Sequence, residues 1–445
     1  MPAQNDTWWH LRQGEVIWNG GAPLQDSFSH TVNGGYWQNR EWLAQVLFYL
    51  LFRVGGLPLL TGVLAALVTS AWYLSWSLMK GPTTQRLILI ACALITSSIE
   101  WALRPQVFTL FFVSATATMI ARRLWWPLPF VFLVWANLHG GVVVGYGLIV
   151  VGTCCLIMHR EFREASKLGL IGLVAFLATG FTPLGHRLWT DTWHAVDQMR
   201  QSGVLEFQPP TFGAPALWPF WLLTAALVAL AAAERPWASK DSPAREFIVV
   251  SALGMVLVGL VALRNTPLTL LLAVPAVDAL LRRRLRADAR PLRREWHVLN
   301  AAVLAVVLIV GSSAVAYGWT YPAKRQGWNP MPAEAIHAIA ACPQNLYNRF
   351  DEGGFIIWFV PTQKVFIDSR FDPYPVELLR AHVNVERSGE YEELFRRFAI
   401  HCALLPRDSV LATRLQRDGW GTSYDRDGWV VVQTNVAHAT ASTRQ

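Results

Sequence analysis

The sequence has few charged residues. Asp, Glu, Lys and Arg make up 15% of its 445 residues, whereas soluble globular proteins carry about 25%. Hydrophobic residues make up 53% of the chain, which excludes intrinsic disorder, because a disordered chain is poor in apolar residues. This imbalance indicates that a lipid bilayer, rather than water, surrounds much of the protein.

Cysteine is also scarce. Cys92, Cys154 and Cys155 lie inside apolar stretches, where a thiol behaves as a small hydrophobic group. Cys342 and Cys402 lie in the polar C-terminal region and could form a disulfide if that region is exported. No spacing typical of a zinc or redox site is present, so a disulfide scaffold and a zinc domain are both excluded.

Several catalytic motifs are missing. The chain has no HExxH, CxxC, GxSxG or Walker A pattern, and no GxGxxG in a suitable context. This argues against a zinc protease, a serine hydrolase and a nucleotide-driven pump. The sequence predicts no cofactor and indicates no set of metal ligands. The energy for any reaction would therefore come from an activated, lipid-linked donor.

Long apolar stretches cover most of the chain. About 20 apolar residues cross a bilayer as a helix. The predicted spans lie near residues 57–79, 86–99, 103–121, 126–138, 141–158, 167–182, 216–233, 246–263, 266–281 and 298–319. The 22 tryptophans agree with a membrane protein, because indole rings favour membrane–water interfaces. The predicted fold class is an α-helical polytopic membrane protein of about ten spans, with its transmembrane domain at 57–319.

The basic residues are distributed unevenly between the connections. Seventeen Lys and Arg residues lie in the connections of one side and four in those of the other. By the positive-inside rule the basic side is cytoplasmic. Residues 1–56 and 320–445 are then non-cytoplasmic, in a protein of the cell inner membrane. The net charge of +8 reflects this topology, so no nucleic-acid partner is predicted.

The N-terminal segment is predicted to be an outer loop with an in-plane helix. Apolar residues recur at helical spacing from Glu41 to Phe52, which is typical of a helix lying in the membrane interface. The alternative is that this helix is simply the start of the first span. No basic or apolar export signal lies near Met1, so we expect the natural reading frame to begin upstream with a further span.

Two aspartates in this segment are candidate catalytic residues. Asp6 precedes Trp9 and His10, and a carboxylate beside aromatic surfaces could act as a general base toward an acceptor hydroxyl, with Trp9 and His10 contacting the substrate. The alternative is a polar loop with tryptophan anchors. Asp26 is the second candidate, but Asp before Ser27 is also a common turn or capping arrangement.

Polar residues also recur at the outer ends of the predicted spans. Glu100, Arg104, His139 and Arg264 all lie on that side, and charges at such positions indicate function because they are costly in a bilayer. An arginine could bind a lipid phosphate, and a buried carboxylate could accept a proton. Alternatively, Glu100 and Arg104 form a structural ion pair, and His139 is an ordinary interfacial histidine.

The C-terminal region has the composition of a soluble domain. After a predicted linker at Tyr321–Pro332, β-like runs alternate with helical patterns, which indicates a small α/β domain. The predicted strands are 345–348, 364–368, 402–406 and 429–433, and the predicted helices are 354–359, 375–386, 391–398 and 409–416. Polar residues at Phe366–Arg370 end a predicted strand, where α/β sheets often bind ligands; a structural cap is the alternative.

Motifs along nearly the whole chain resemble a bacterial group of multi-pass membrane proteins. They are Asp6-Thr7-Trp8-Trp9-His10-Leu11, Asp26-Ser27-Phe28-Ser29, Glu41-Trp42-Leu43, Leu103-Arg104-Pro105-Gln106, Trp135-Ala136-Asn137-Leu138-His139-Gly140-Gly141, Glu206-Phe207-Gln208-Pro209-Pro210, Arg264-Asn265-Thr266-Pro267-Leu268, Glu352-Gly353-Gly354-Phe355 and Val365-Phe366-Ile367-Asp368-Ser369-Arg370. That group is similar in layout to the C-type superfamily of integral-membrane glycosyltransferases (GT-C). These enzymes use polyprenyl-phosphate sugars and carry an acidic residue in the first outer loop.

The resemblance implies a glycosyltransferase in which Asp6 deprotonates the acceptor and Arg104 or Arg264 holds the donor phosphate. Asp6 matches the position of the acidic catalytic residue of the superfamily, and the helix from Glu41 resembles its in-plane helix. The chain differs in starting at this loop and in having one Asp in place of an acidic pair. The implied partners are a polyprenyl-phosphate-linked sugar, the bilayer, and an acceptor glycan, lipid or protein.

Two other functions are compatible with the sequence. A transporter or flippase for lipid-linked saccharides would need gates on both sides of the membrane but no base. A non-catalytic assembly factor would use its C-terminal domain to recruit partners.

Overall fold

The computed structural model describes residues 4–190, 205–235, 242–286, 297–320, 333–343 and 345–434. The predicted linker at 321–332 lies outside the described residues. The chain divides into two compact units. The first, which we call the helical unit, contains residues 54–190, 205–235, 242–286 and 297–320, and the second, the mixed unit, contains residues 4–53, 333–343 and 345–434.

The chain begins with α1 (Asn5–Trp18), and α2 follows at Trp42–Leu78. A break interrupts α2 at Gly55 and Gly56, and Gly56 has φ +62° and ψ −160°, a conformation that only glycine adopts readily. The break separates the predicted in-plane helix from the apolar part of α2. That this first part lies in the membrane plane stays a prediction.

Helices make up the rest of the helical unit, and a helix lies at each of the ten predicted spans. The first is α2, and the others are α3 (Thr83–Ser97), α4 (Gln106–Ala121), α5 (Leu128–Leu138), α6 (Val142–Met158), α7 (Phe162–Ala178), α8 (Trp218–Glu234), α9 (Pro243–Val261), α10 (Thr266–Arg286) and α11 (His297–Thr320). Single 3₁₀ turns at Ser98–Glu100, Leu205–Phe207 and Leu263–Asn265 lie in the connections.

Among the described residues, three helical segments are long and apolar enough to cross a membrane. These are Trp42–Leu78, Pro215–Glu234 and Pro243–Val261. Shorter apolar helices occur at Gln106–Ala121, Leu128–Leu138, Val142–Met158 and Val298–Val310. The described residues thus include apolar helices of the membrane-spanning type. The count of about ten spans stays a prediction.

A four-stranded sheet organises the mixed unit. Its strands are β1 (Leu346–Asn348), β2 (Cys402–Pro406), β3 (Gly421–Arg426) and β4 (Trp429–Gln433). The order is β1-β2-β4-β3, with β1 and β2 parallel and the other pairs antiparallel. Five helices accompany the sheet: α12 (Ala333–Ala340), α13 (Gly353–Phe359), α14 (Val376–Ser388), α15 (Glu392–Arg397) and α16 (Val410–Arg417).

The sheet buries apolar side chains on both faces. Alternate residues of a strand point to opposite faces, so Leu404 contributes to one core cluster and Leu405 to the other. The first cluster also contains Trp9, Phe28 and Trp37 of the N-terminal segment. The N-terminal segment is therefore part of the core of the C-terminal domain.

Backbone contacts join the same two regions. The amide of His30 donates to the carbonyl of Val365 at 3.0 Å, and the amide of Val365 donates to the carbonyl of Phe28 at 3.0 Å. The helix α1 packs closely on α13, because a Cβ atom at Gly354 would lie 2.2 Å from the carbonyl oxygen of Asn5. Residues 4–53 and 333–434 therefore fold together, whereas the sequence indicated two separate regions.

The secondary structure of the C-terminal region differs from the sequence prediction in three places. The run at 364–368 forms no strand but a single bridge between Val365 and Ser29, and β3 and α12 were not predicted. Cys342 and Cys402 form a disulfide, which links the residues after α12 to β2.

Candidate functional site

The residues that the sequence singled out fall into both units. Asp6, Trp9, His10 and Asp26 lie in the mixed unit. Glu100, Arg104, His139 and Arg264 lie in the helical unit.

Asp6 lies in the first turn of α1, where a negative charge is favoured by the helix dipole. The start of the helix is fixed by the amide of Gln4, which donates to the Thr7 hydroxyl at 3.0 Å. The Ser369 hydroxyl donates to Oδ1 of Asp6. The Trp9 indole N–H lies 3.4 Å from the same oxygen and 3.1 Å from Ser369 Oγ. Asp6 is partly exposed, and these hydrogen bonds orient its carboxylate.

Trp9 and His10 lie inside the protein. Trp9 packs in the core beside Trp37, with ring centroids 5.9 Å apart. His10 is 2% exposed, its Nε2 lies 3.8 Å from Glu41, and its ring lies 3.6 Å from that of Trp9. This placement favours a role for both residues in fixing α1, and thereby Asp6, over direct contact with a substrate.

Asp26 is buried in a network of charges. Its side chain accepts from the Ser29 hydroxyl at 2.6 Å and from the Ser29 amide at 3.1 Å. The Arg370 guanidinium lies 2.6 Å from Asp26 and 2.6 Å from Asp368, and none of the three side chains is exposed. The geometry favours the turn-forming role that the sequence left open, in which the carboxylate also neutralises a buried arginine.

A second carboxylate, that of Asp351, interacts electrostatically with Asp6. Burial raises the pKa of Asp351, the Arg349 guanidinium opposes this rise, and the negative charge of Asp6 adds to it. Sequence reasoning missed Asp351. The available signal was its position directly before the Glu352-Gly353-Gly354-Phe355 motif, which the resemblance includes.

The helical unit contains a cluster of five polar residues, which we call the outer polar cluster: Glu100, Arg104, Gln106, Glu206 and Arg264. Arg104 donates to Glu206 at 2.7 Å, and Arg264 lies 3.6 Å from the other oxygen of Glu206. Gln106 donates to Glu100 at 3.1 Å and accepts from Arg264 at 3.3 Å. Three of the four candidate residues that the sequence indicated in this unit are thus in one cluster, and Glu206 lies between the two arginines.

Short turns at the helix ends position this cluster. Glu100 ends the 3₁₀ turn after α3, Arg104 precedes α4, and Arg264 lies in the turn between α9 and α10. The amide of Leu263 donates to the carbonyl of Gln208 at 2.8 Å, which ties the turn of Arg264 to the turn of Glu206. The cluster therefore combines residues from three connections between helices.

The pKa values of the two glutamates of the cluster are shifted in opposite directions. Burial opposes ionisation of Glu206, but Arg264 and Arg104 outweigh it and lower the pKa of Glu206. Burial raises the pKa of Glu100, and the charge of Glu206 raises it further. Arg104 and Arg264 thus lie together in this cluster, and paired guanidinium groups suit an anionic ligand.

His139 is held by Thr109 and Gly141. The amide of Gly141 donates to Nδ1 of His139 at 3.0 Å, and Thr109 Oγ1 lies 2.7 Å from the same atom. An amide can only donate, so Nδ1 is an acceptor and the ring proton is on Nε2. Trp135 donates to Thr109 at 2.9 Å, which orients the hydroxyl. A substrate-binding role and the role of an ordinary interfacial histidine are both compatible with this arrangement.

A metal site would need several ligands in one place. Within the described residues, no three His, Cys, Asp or Glu side chains come together as metal ligands would.

The fold is similar to that of solved oligosaccharyltransferases, although no protein-family model and no curated protein matches the sequence. One is the Archaeoglobus fulgidus oligosaccharyltransferase tethered to an acceptor peptide that contains the NVT sequon. Its TM-score is 0.54 at 11% sequence identity, and the match covers 91% of this chain and 65% of that chain. Its apo form matches with TM-score 0.54, 11% identity, and coverage of 91% and 66%. The chain thus spans just under two thirds of the length of these relatives.

A third structure extends the comparison. It is the archaeal oligosaccharyltransferase AglB from Archaeoglobus fulgidus in complex with an inhibitory peptide and a dolichol-phosphate, with TM-score 0.54, 11% identity, and coverage of 98% of this chain and 71% of that chain. AglB belongs to the GT-C superfamily. The GT-C-like fold predicted from the sequence motifs is therefore confirmed, and at this identity the similarity concerns the fold alone.

Proposed function

We propose that this chain is a membrane glycosyltransferase that moves a sugar from a polyprenyl-phosphate-linked donor to an acceptor on the non-cytoplasmic face. The observation that carries the proposal is Asp6, a partly exposed carboxylate held by Ser369 and Trp9. In the GT-C resemblance this is the position of the acidic catalytic residue. The fold shared with an oligosaccharyltransferase solved with a dolichol-phosphate supports a lipid-linked donor.

Asp6 is the general base of the proposed reaction. The oxygen of an acceptor hydroxyl attacks the anomeric carbon of the donor sugar, and the bond from that carbon to the phosphate oxygen breaks. The hydroxyl proton moves to the Asp6 carboxylate, and the polyprenyl phosphate leaves with the bonding electron pair. A positioned base of this kind contributes about 10²- to 10⁴-fold in rate.

Arg104 and Arg264 bind the phosphate of the donor. A guanidinium group presents five N–H donors in a planar fork, so each arginine can contact Glu206 and a phosphate together. Charge-assisted hydrogen bonds of this type are about twice as strong as neutral ones. Glu100 and His139 are the other proposed substrate-binding residues of the helical unit.

The disulfide supports a non-cytoplasmic location of the mixed unit. Cys342 and Cys402 are joined, and disulfides persist in oxidising compartments such as the bacterial periplasm and are rare in the cytosol. This agrees with the distribution of basic residues. We therefore place the protein in the inner membrane with the mixed unit on the periplasmic side.

Transfer or release of labelled sugar in proteoliposomes tests the proposal. A panel of polyprenyl-phosphate monosaccharides serves as donors, and water substitutes for the unidentified acceptor in the release assay. We expect Asp6→Asn to lose at least about 100-fold in rate while binding of the donor is kept. Asp408→Asn is the matched control, because Asp408 is exposed in the same unit, and it should keep full activity.

The other outcomes separate the competing functions. A fully active Asp6→Asn protein would show that Asp6 is not the base. No transfer or release from any donor, with movement of the lipid-linked sugar across the bilayer, would replace the proposal with a flippase. No transfer, release or movement would favour an assembly factor.

A further inference from the structure

We infer that Ser369 is a positioning residue for the reaction: its hydroxyl orients the carboxylate of Asp6 toward the acceptor. This rests on the proposed function, in which Asp6 is the base. Ser369 lies 363 positions after Asp6 in the sequence, so the C-terminal part of the chain contributes to the arrangement of the reacting group.

The hydrogen bonds of Ser369 fix the direction of its proton. A serine hydroxyl has one donor hydrogen and two acceptor lone pairs. Both neighbours other than Asp6 can only donate to it: the Trp9 indole N–H at 3.1 Å and the Asn5 side-chain amide at 3.3 Å. The single proton of the hydroxyl therefore points to Oδ1 of Asp6.

The backbone on the N-terminal side of Ser369 is held in place. The carbonyl of Ile367 accepts from the Asn348 side chain at 2.7 Å, and Asn348 is buried. A Cβ atom at Gly353 would lie 2.5 Å from the Cβ atom of Asp368. The segment thus rests directly on the first residue of α13, and a side chain at Gly353 would displace it.

The buried network of Arg370 holds the other side. The Asp368 carboxylate accepts from the Arg370 amide at 3.0 Å, from its Nε at 2.7 Å and from the Tyr374 hydroxyl at 2.6 Å. Arg370 also reaches Asp26, which belongs to the N-terminal segment. Asp26 therefore has an indirect link to the proposed chemistry, because it helps to fix the segment that carries Ser369.

Fixed orientation matters because a base must meet the acceptor proton in one geometry. A misplacement of about 1 Å costs about 100-fold in rate. Asp6 is only partly buried, so packing alone restrains it less than it would a core residue. The hydrogen bond from Ser369 supplies a restraint that acts on the reacting carboxylate itself.

The test compares Ser369→Ala and Ser369→Thr in full-length protein. We expect Ser369→Ala to lower kcat for sugar release by about 10- to 100-fold with the donor KM unchanged within about threefold, because Ser369 acts on the chemistry and not on donor binding. Ser369→Thr keeps the hydroxyl and should restore most of kcat. Ser388→Ala, at an exposed serine of the same unit, is the matched control.

The outcomes distinguish this inference from the proposed function. An unchanged kcat in Ser369→Ala beside an inactive Asp6→Asn would overturn the role of Ser369 and leave the function standing. Equal losses in Ser369→Ala and Ser369→Thr would assign the effect to the shape of the segment and also overturn it. A fully active Asp6→Asn would overturn both, whatever Ser369→Ala does.

Discussion

At the residue scale, Glu206 sets the charge of the outer polar cluster. It accepts from Arg104 at 2.7 Å and lies 3.6 Å from Arg264, and each of these side chains is about a fifth exposed, at 21–23%. Partial exposure lets the arginines keep some hydration while they hold a fixed direction. The Glu206 carboxylate keeps the two guanidinium groups together, and in the proposed function the donor phosphate binds to this preformed pair.

Arg104→Lys tests this arrangement, because lysine keeps the charge but loses the planar fork. A lost charge-assisted hydrogen bond costs about 1.5–3 kcal/mol, so we expect the donor KM to rise about tenfold or more. Steady-state kinetics with increasing donor concentration measures the change. Arg407→Lys at an exposed pair of the mixed unit is the control. A donor KM equal to that of the unsubstituted protein would remove Arg104 from the phosphate site.

The sequence could name Asp6 and Asp26 as candidates but could not rank them. Both are aspartates near aromatic residues in the N-terminal segment. Their environments differ because of residues that are distant in sequence: Ser369 beside Asp6 and Arg370 beside Asp26. One carboxylate is partly exposed and the other is buried and neutralised, and only the tertiary structure decides which is which.

At the scale of single elements, α13 begins beside a group that titrates near neutral pH. Glu352 precedes α13 and is 2% exposed. Burial raises its pKa to about 7, although the Arg349 guanidinium at 2.9 Å opposes the rise. The unfolded carboxyl titrates near 4.5, so the folded protein binds more protons than the unfolded one between these two values.

Glu352 therefore stabilises the fold most below pH 4.5, and this contribution is lost as the pH rises to about 7. Glu352→Gln keeps a neutral side chain, so we expect its Tm relative to the unsubstituted protein to increase as the pH rises from 5 to 7.5. Thermal unfolding in detergent at a series of pH values measures this. Glu377→Gln, at an exposed glutamate of the same unit, is the matched control. A constant difference for Glu352→Gln would contradict the prediction.

Elements were predictable where the pattern was strong. Each predicted span coincides with a helix, because a long apolar run has few alternatives to helical structure. The strand β3 was missed because most of its side chains are exposed, which leaves no alternating pattern. The run at 364–368 reads as a strand, but Val365 pairs only with the N-terminal segment, a partner that the local sequence does not reveal.

At the scale of the whole molecule, the chain folds its two ends into one unit. Residues 4–53 and 333–434 share a core that contains Trp9, Phe28 and Trp37 beside the sheet residues Leu346 and Val431. The sequence separated these regions because the predicted spans lie between them. A shared core requires both ends to be on the same side of the membrane, and the charge pattern of the connections predicts the same.

The disulfide gives this topology a direct test. With Cys92, Cys154 and Cys155 replaced by alanine, Cys342 and Cys402 are the remaining thiols. If the mixed unit is periplasmic, a maleimide–polyethylene glycol reagent should modify protein from cells only after reduction. Removing this cross-link over 60 residues in Cys342→Ala/Cys402→Ala should also destabilise the fold by about 4 kcal/mol. Two thiols that react without reductant would place the mixed unit in the cytoplasm and contradict the proposed site of glycosyl transfer.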